Sequence, residues 1–180
     1  AQKTSFTNQL CAIYLAEARE LGQQKKFDEA IVLYQKILAT KDASLYNYFI
    51  ANQETGRIQF NQKKYDEALK FVDAINKLQG LTPDQKASNN NLHADILNAQ
   101  RKYDDTIKLM EQTLALPANL NPNWRASAYA KIASVYFYYK KDLAKADEYI
   151  KKAGAIPGAT WGKTEWLSKA IQKALDSQKK

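Results

Sequence analysis

Residues 64–68 read Lys64-Tyr65-Asp66-Glu67-Ala68, and the same short pattern stands earlier as Lys26-Phe27-Asp28-Glu29-Ala30 and later as Lys102-Tyr103-Asp104-Asp105-Thr106. A degenerate fourth copy, Asp142-Leu143-Ala144-Lys145-Ala146, follows. Phe27, Tyr65 and Tyr103 lie 38 residues apart, and Leu143 comes 40 after Tyr103. Other columns keep the same step. Nine places before each aromatic place is a small residue, Ala18, Gly56, Ala94 and Ser134. Seven after it is a bulky apolar one, Tyr34, Val72, Met110 and Ile150, and ten after it come Ile37, Ile75, Thr113 and Ala153. A fixed period of this length marks a repeat architecture, in which one unit buries its apolar face against the next.

The unit reads as a helical hairpin. Between Tyr65 and Leu78 the apolar residues Ala68, Leu69, Val72, Ile75 and Leu78 recur at spacings of three and four, which places them on one helix face. The basic residues Lys25, Lys26, Lys63, Lys64, Arg101 and Lys102 fall where a first helix ends. The acids Asp28, Glu29, Asp66, Glu67, Asp104 and Asp105 fall where a second begins. Both placements favour the helix dipole, so these charges read as helix-end electrostatics rather than as a binding site. Thr82-Pro83-Asp84-Gln85 reads as an N-cap, a proline at the first helical place and a capping-box glutamine, and Asn121-Pro122 repeats the first two signals.

These small-residue, aromatic and alanine columns resemble the tetratricopeptide repeat family, whose usual unit is about 34 residues. The resemblance covers residues 11–158: Gly56, Tyr65 and Ala68 match the family signature directly, with Ala18, Phe27, Ala30 and Tyr34 close behind. The third and fourth units depart from it at Thr106 and Leu143. The resemblance implies a right-handed all-α solenoid of four hairpins in one domain spanning residues 1–180, with repeats at about 5–41, 43–80, 82–117 and 121–156. The longer period implies a first helix extended by one turn in each hairpin, because the capping signals lie that far upstream.

After Ala153, Gly154-Ala155-Ile156-Pro157-Gly158 breaks the helix, and a ninth helix is expected from Thr160 or Thr164, within residues 160–178. Trp166, Leu167, Ala170, Ile171, Ala174 and Leu175 form one apolar stripe there. That pattern suits an end-cap, which a repeat array needs to cover its last apolar face. Trp161 and Trp166 read as packing residues of this cap.

A hydrophobic share of 45% with 26% charged residues excludes wholesale disorder. No apolar run approaches the ~20 residues of a membrane-spanning helix. The single cysteine, Cys11, cannot make an intramolecular disulfide and reads as a small core residue. His93 is the only histidine, which removes multi-histidine metal sites, and Cys11 lies two repeats from it, which argues against Cys–His catalysis. The six glycines form neither a dinucleotide fingerprint nor a P-loop. A non-enzyme without cofactor or metal is the expectation. The 27 Lys and Arg against 19 Asp and Glu give a net charge of +8, but lysines alternate with acids and no recognition pattern for nucleic acid appears. The start at Ala1-Gln2-Lys3 is read as a processed leader, hence a periplasmic or secreted protein, with a cytoplasmic one as the alternative.

In tetratricopeptide families the first helices line a concave groove that takes a peptide or partner helix. Carried onto this chain, that groove comprises Arg19, Gln53, Arg57, Phe60, Asn91, Asp95, Asn98, Lys131 and Tyr138. The family's Lys/Asn carboxylate clamp is absent, since its first-unit places hold Leu15 and Arg19. The expected role is a non-catalytic scaffold or adaptor whose protein or peptide partner presents acidic residues or a free carboxylate. A basic module for nucleic acid or anionic surfaces is the second reading, and a hydrolase on an α-solenoid the third. The hairpin register itself is testable at Gly56, where a small side chain lets two helices approach. Gly56→Leu should cost roughly 1–3 kcal/mol in urea unfolding, whereas tolerance of Leu together with a raised melting temperature in Gly56→Ala would contradict the register.

Overall fold

In a computed structural model, which describes residues 2–160 and 164–178, every regular element is helical and no strand occurs among the described residues. The helices are α1 (Gln2–Gln23), α2 (Phe27–Ala39), α3 (Leu45–Asn61), α4 (Tyr65–Asn76), α5 (Pro83–Ala99), α6 (Tyr103–Leu114), α7 (Pro122–Val135), α8 (Leu143–Gly154) and α9 (Glu165–Gln178). A π-helical turn, Tyr136–Lys140, continues α7. The chain divides into two compact units, Ala1–Leu81 and Thr82–Lys180. In the first, α1 packs on α2, α2 on α3 and α3 on α4, with α1 also touching α3; in the second, α5 through α9 pack successively and α5 also touches α7.

The first helices α3, α5 and α7 start on side-chain caps. Ser44 accepts from the Asn47 N–H, Thr82 and Gln85 form the expected capping box, and Asn121 accepts from the Asn123 N–H. A side chain one repeat upstream ties down a backbone N–H ahead of the next helix in three places, two of them at these caps. Asn8 Oδ1 accepts from Ser44 N at 3.1 Å, Asp84 Oδ1 from Asn121 N at 2.9 Å, and Asn123 Oδ1 from Thr160 N at 2.7 Å. Asn8, Asp84 and Asn123 share one repeat column, in which the remaining place is Tyr46.

Each first helix ends on a left-handed basic residue: Lys25, Lys63, Arg101 and Lys141 have φ of 62°, 61°, 61° and 57°. In the first three turns the next residue donates to a carbonyl five back and the left-handed residue donates three back. Lys26 N reaches Leu21 O at 2.9 Å and Lys25 N reaches Gly22 O at 3.1 Å, with the same pair at Lys64/Lys63 and Lys102/Arg101. This is the Schellman pattern, closed here without glycine. α3 and α5 each run 17 residues against 12 in α4 and α6, so the extra length of the repeat sits in the first helix.

The predicted columns form the interior. Ala30, Ala68, Thr106 and Ala146 are buried, as are Tyr34, Val72, Met110 and Ile150, and Ile37, Ile75, Thr113 and Ala153. Cys11 is buried with Leu15 and Ala18 in the core of the first unit. Burial of apolar side chains at roughly 1.5–3 kcal/mol each dominates the stability of such a hairpin.

One column needs correction. Ala18, Gly56 and Ala94 are buried, but Ser134 is only half-buried while its neighbour Ala133 is fully buried. The cause lies in the third interval, which is 40 rather than 38. Pro83 and Pro122 both open first helices and are 39 apart, so one extra residue lies in the loop before α7. The second lies in the π-turn, where Asp142 N donates six residues back to Tyr136 O rather than five. Counting back across that turn from Leu143 therefore misses by one, and Ala133 rather than Ser134 takes the small-residue place.

Helix α9 begins just after Thr164 and buries Leu167 and Ile171 against the α7–α8 core. Trp166, expected to pack, is 56% exposed, and Trp161 lies outside the described residues. The register correction predicts opposite outcomes at adjacent positions. Ala133→Leu should overpack the core by roughly 1–3 kcal/mol, Ser134→Leu should be near neutral, and chemical denaturation of the two variants decides between them.

Candidate functional site

In the first unit α1 and α3 carry Arg19 and Arg57 at equivalent places, and both are exposed. Each follows the buried small residue of its helix, Ala18 or Gly56, and the helical step of about 100° turns the next side chain off the buried face. Arg57 Nε lies 3.9 Å from Glu54 Oε2. Beneath them is Tyr34 of α2, a buried phenol pushed up to about 12, first by burial, then by the charge of Glu54, with Arg19 pulling the other way. Arg57 thus pairs with Glu54 on its own helix, while Glu54 and Arg19 both act on the Tyr34 phenol. Each guanidinium offers five donors in a planar fork, so this cluster has donors to spare for a further carboxylate.

The other residues expected to line the groove in this unit differ in access. Gln53 is 2% exposed and sits among the buried polar side chains of α3 with Asn47, Asn52 and Thr55. Phe60 is half-buried, with its ring 5.8 Å from that of Tyr65. The arginines are therefore the members of the expected set that this unit presents to solvent.

In the second unit Asn91 is half-buried on α5. Lys131 of α7 is ion-paired with Asp95 of α5, its side chain only 15% exposed, so its charge is already matched. Asn98 Oδ1 accepts from Thr106 Oγ1 at 2.8 Å, which joins α5 to α6. These contacts hold the second unit together. Tyr138 stands apart from them on the π-turn, 37% exposed, beside Tyr139 and Trp166.

Three features of the site were not read from the sequence: the Tyr34–Glu54 contact, the exposure of Trp166, and the row of rings around Tyr138. The break of the period from 38 to 40 was the signal for the last, because an insertion inside a helix must distort it locally. Among the described residues no group of three or more His, Cys, Asp or Glu could hold a metal ion, and no helix is long and apolar enough to cross a membrane.

No family model matches this chain, and no curated protein matches it either.

The Tyr34 cluster has a pH signature. The native chain keeps a phenol proton that the unfolded chain releases near the ordinary tyrosine value of 10. Its contribution is complete below pH 10 and is lost as pH rises towards about 12, at ~1.4 kcal/mol per pH unit. Tyr34→Phe should remove that slope when urea unfolding is compared at pH 9 and 11.5. In absorbance titration Glu54→Gln should lower the pH at which Tyr34 ionises and Arg19→Ala should raise it.

Proposed function

We propose that the chain is a non-catalytic adaptor of tetratricopeptide type that binds an acidic peptide segment or a free C-terminal carboxylate at Arg19 and Arg57. The observation that carries this reading is the pair of exposed guanidinium groups at equivalent places on α1 and α3, one of them 3.9 Å from the Glu54 carboxylate. The recurring columns support the repeat type, since the places three, seven and ten residues past the aromatic are buried in all four units and the aromatic place itself is half-buried. Guanidinium binds carboxylate through two parallel hydrogen bonds, which gives direction as well as attraction. A peptide running along α1 and α3 would set one acidic group at each arginine, and the half-buried Phe60 ring would take an apolar side chain.

The test is fluorescence anisotropy with a labelled decapeptide ending in three acidic residues and a free carboxylate, alongside its amidated form and a lysine-substituted control. The wild-type chain should prefer the free acid. Arg19→Glu combined with Arg57→Glu should weaken binding by about tenfold or more, the loss of one or two charge-assisted bonds. The helical circular-dichroism spectrum should stay intact, because both side chains are exposed. Undiminished affinity in the double variant removes the reading. A salt slope steep enough for several phosphate contacts, seen with an oligonucleotide in place of the peptide, would favour a nucleic-acid module instead.

A further inference from the structure

Among the described residues, α1 leaves open a side that the later first helices close. Seven residues past the cap places Ser44, Thr82, Asn121 and Thr160 stand Ala51, Asn89, Ala128 and Leu167, and all four are buried. Thr160 belongs to this series because Asn123 holds its N–H as Asp84 holds that of Asn121, which puts α9 in the place of a fifth first helix. The place 38 residues before Ala51 is Ile13, which is 62% exposed. Further along the same side, Thr55 and Ile58 on α3 and Ile132 and Val135 on α7 are buried, whereas α1 carries Glu17 and Glu20 there, both exposed. Ile13, Glu17 and Glu20 are spaced by four and three residues and so share one side of α1, away from its buried Cys11, Leu15 and Ala18.

The later copies show what covers this side. Ala51 and Ile58 join the core built by α1 and α2, Ala128, Ile132 and Val135 join that of α5 and α6, and Leu167 and Ile171 join that of α7 and α8. The occupant is a helix each time. On α1 two acids replace apolar or hydroxyl residues, so a helix that closes it must offer an apolar group to Ile13 and cations to Glu17 and Glu20. The outer side of α9 has that pattern in Trp166, Lys169 and Lys173, all exposed. Trp166 and Lys173 are seven residues apart, as are Ile13 and Glu20. With α9 of one copy laid along α1 of another in the same direction, Trp166 at Ile13 brings Lys173 to Glu20 and Lys169 beside Glu17. Lys169 is held at 2.7 Å by Glu165 of its own helix, an exposed pair that is readily exchanged. Asp176, the other acid along this side, accepts from Gln172 at 2.9 Å and falls about one turn past Glu20. First helix beside first helix is also a contact that the chain already makes, α1 with α3 and α5 with α7.

We propose that α9 of one copy of this chain closes the open side of α1 of another, in a head-to-tail contact that pairs Lys169 and Lys173 with Glu17 and Glu20 around Trp166 and Ile13. Two different surfaces meet, so the contact is heterologous and can repeat from copy to copy. This goes beyond the acidic-peptide reading and needs neither Arg19 nor Arg57.

The test is sedimentation equilibrium of the whole chain, whose weight-average mass should rise with concentration between the micromolar and millimolar ranges. Glu17→Lys with Glu20→Lys, and separately Lys169→Glu with Lys173→Glu, should each weaken self-association about tenfold or more by setting like charges together. The quadruple variant should regain it. An equimolar mixture of the two double variants should regain it too, since each then offers the other opposite charges. All four side chains are exposed, so the helical circular-dichroism spectrum should be unchanged in every variant. Arg19→Glu with Arg57→Glu should associate as the unaltered chain does, which separates failure here from failure of the acidic-peptide site. The mass of a single chain at every concentration, or undiminished association in either double variant, would overturn the proposal. So would sensitivity to the α1 reversal alone, the mark of α1 pairing with α1 of a second copy.

Discussion

Each hairpin in this chain reverses through one residue in the left-handed conformation, and in the first three the reversal is locked by two backbone hydrogen bonds that close the end of the first helix. A non-glycine residue in that conformation costs roughly 1–2 kcal/mol, and here Lys or Arg stands there every time. The closing bonds satisfy carbonyls that a helix end otherwise leaves open, and a long basic side chain places its charge near the negative end of the dipole. With the turn fixed, the next helix starts two residues later at Phe27, Tyr65 or Tyr103. That start sets the phase of the second helix and so decides which residues face inward. The buried columns at three, seven and ten places past the aromatic follow from it.

The same constraint explains what could be read from the sequence. Columns counted forward from the aromatic place stay in phase in all four units, because nothing intervenes between the turn and the helix it launches; Tyr34, Val72, Met110 and Ile150 are all buried. Columns counted backward cross the end of the first helix, and there the fourth unit differs. Ala133 rather than Ser134 is the close-approach residue, and Val135 belongs to the core. Arg19 and Arg57 are displayed as an inner-face reading expects, since their units have no insertion. Gln53 and Lys131 carry polar heads in the sequence, but burial of one and an ion pair on the other depend on neighbours that spacing alone does not specify.

Buried polarity on the first helices is a second thing that composition conceals. Asn47, Asn52, Gln53 and Thr55 on α3, and Asn89 on α5, lie inside. Several have local partners: Thr55 Oγ1 donates to Ala51 O at 2.7 Å, Asn52 Nδ2 to Tyr48 O at 2.8 Å, and Asn47 Nδ2 to Asn8 Oδ1 at 3.2 Å. A weakly amphipathic sequence is the result. The first helices lack the clean apolar stripe of the second helices, because both of their sides meet protein and some of those contacts are amide to backbone. Position in the repeat identifies such helices better than hydrophobic pattern does.

An extra residue in a repeat has two places to go, into a loop or into a helix. The loop before α7 absorbed one. The second could not enlarge the reversal itself, which already ends on Lys141 in the left-handed conformation, with Lys140 held to Asp104 and Tyr139 stacked on Tyr103. Anchored on its far side, the chain took up the residue inside the helix end as a wider turn. That wider turn, Tyr136–Lys140, carries Tyr138 and Tyr139 within it. Counted along the helix from Pro122, Phe137 holds the place of Phe60 and Asn98 and is half-buried like them, and Tyr138 holds that of Asn61 and Ala99, which are exposed. Exposure of Tyr138 thus follows the phase of the helix that leads into the turn, and the contacts of Tyr139 and Lys140 to α6 hold one end of the row of rings in place.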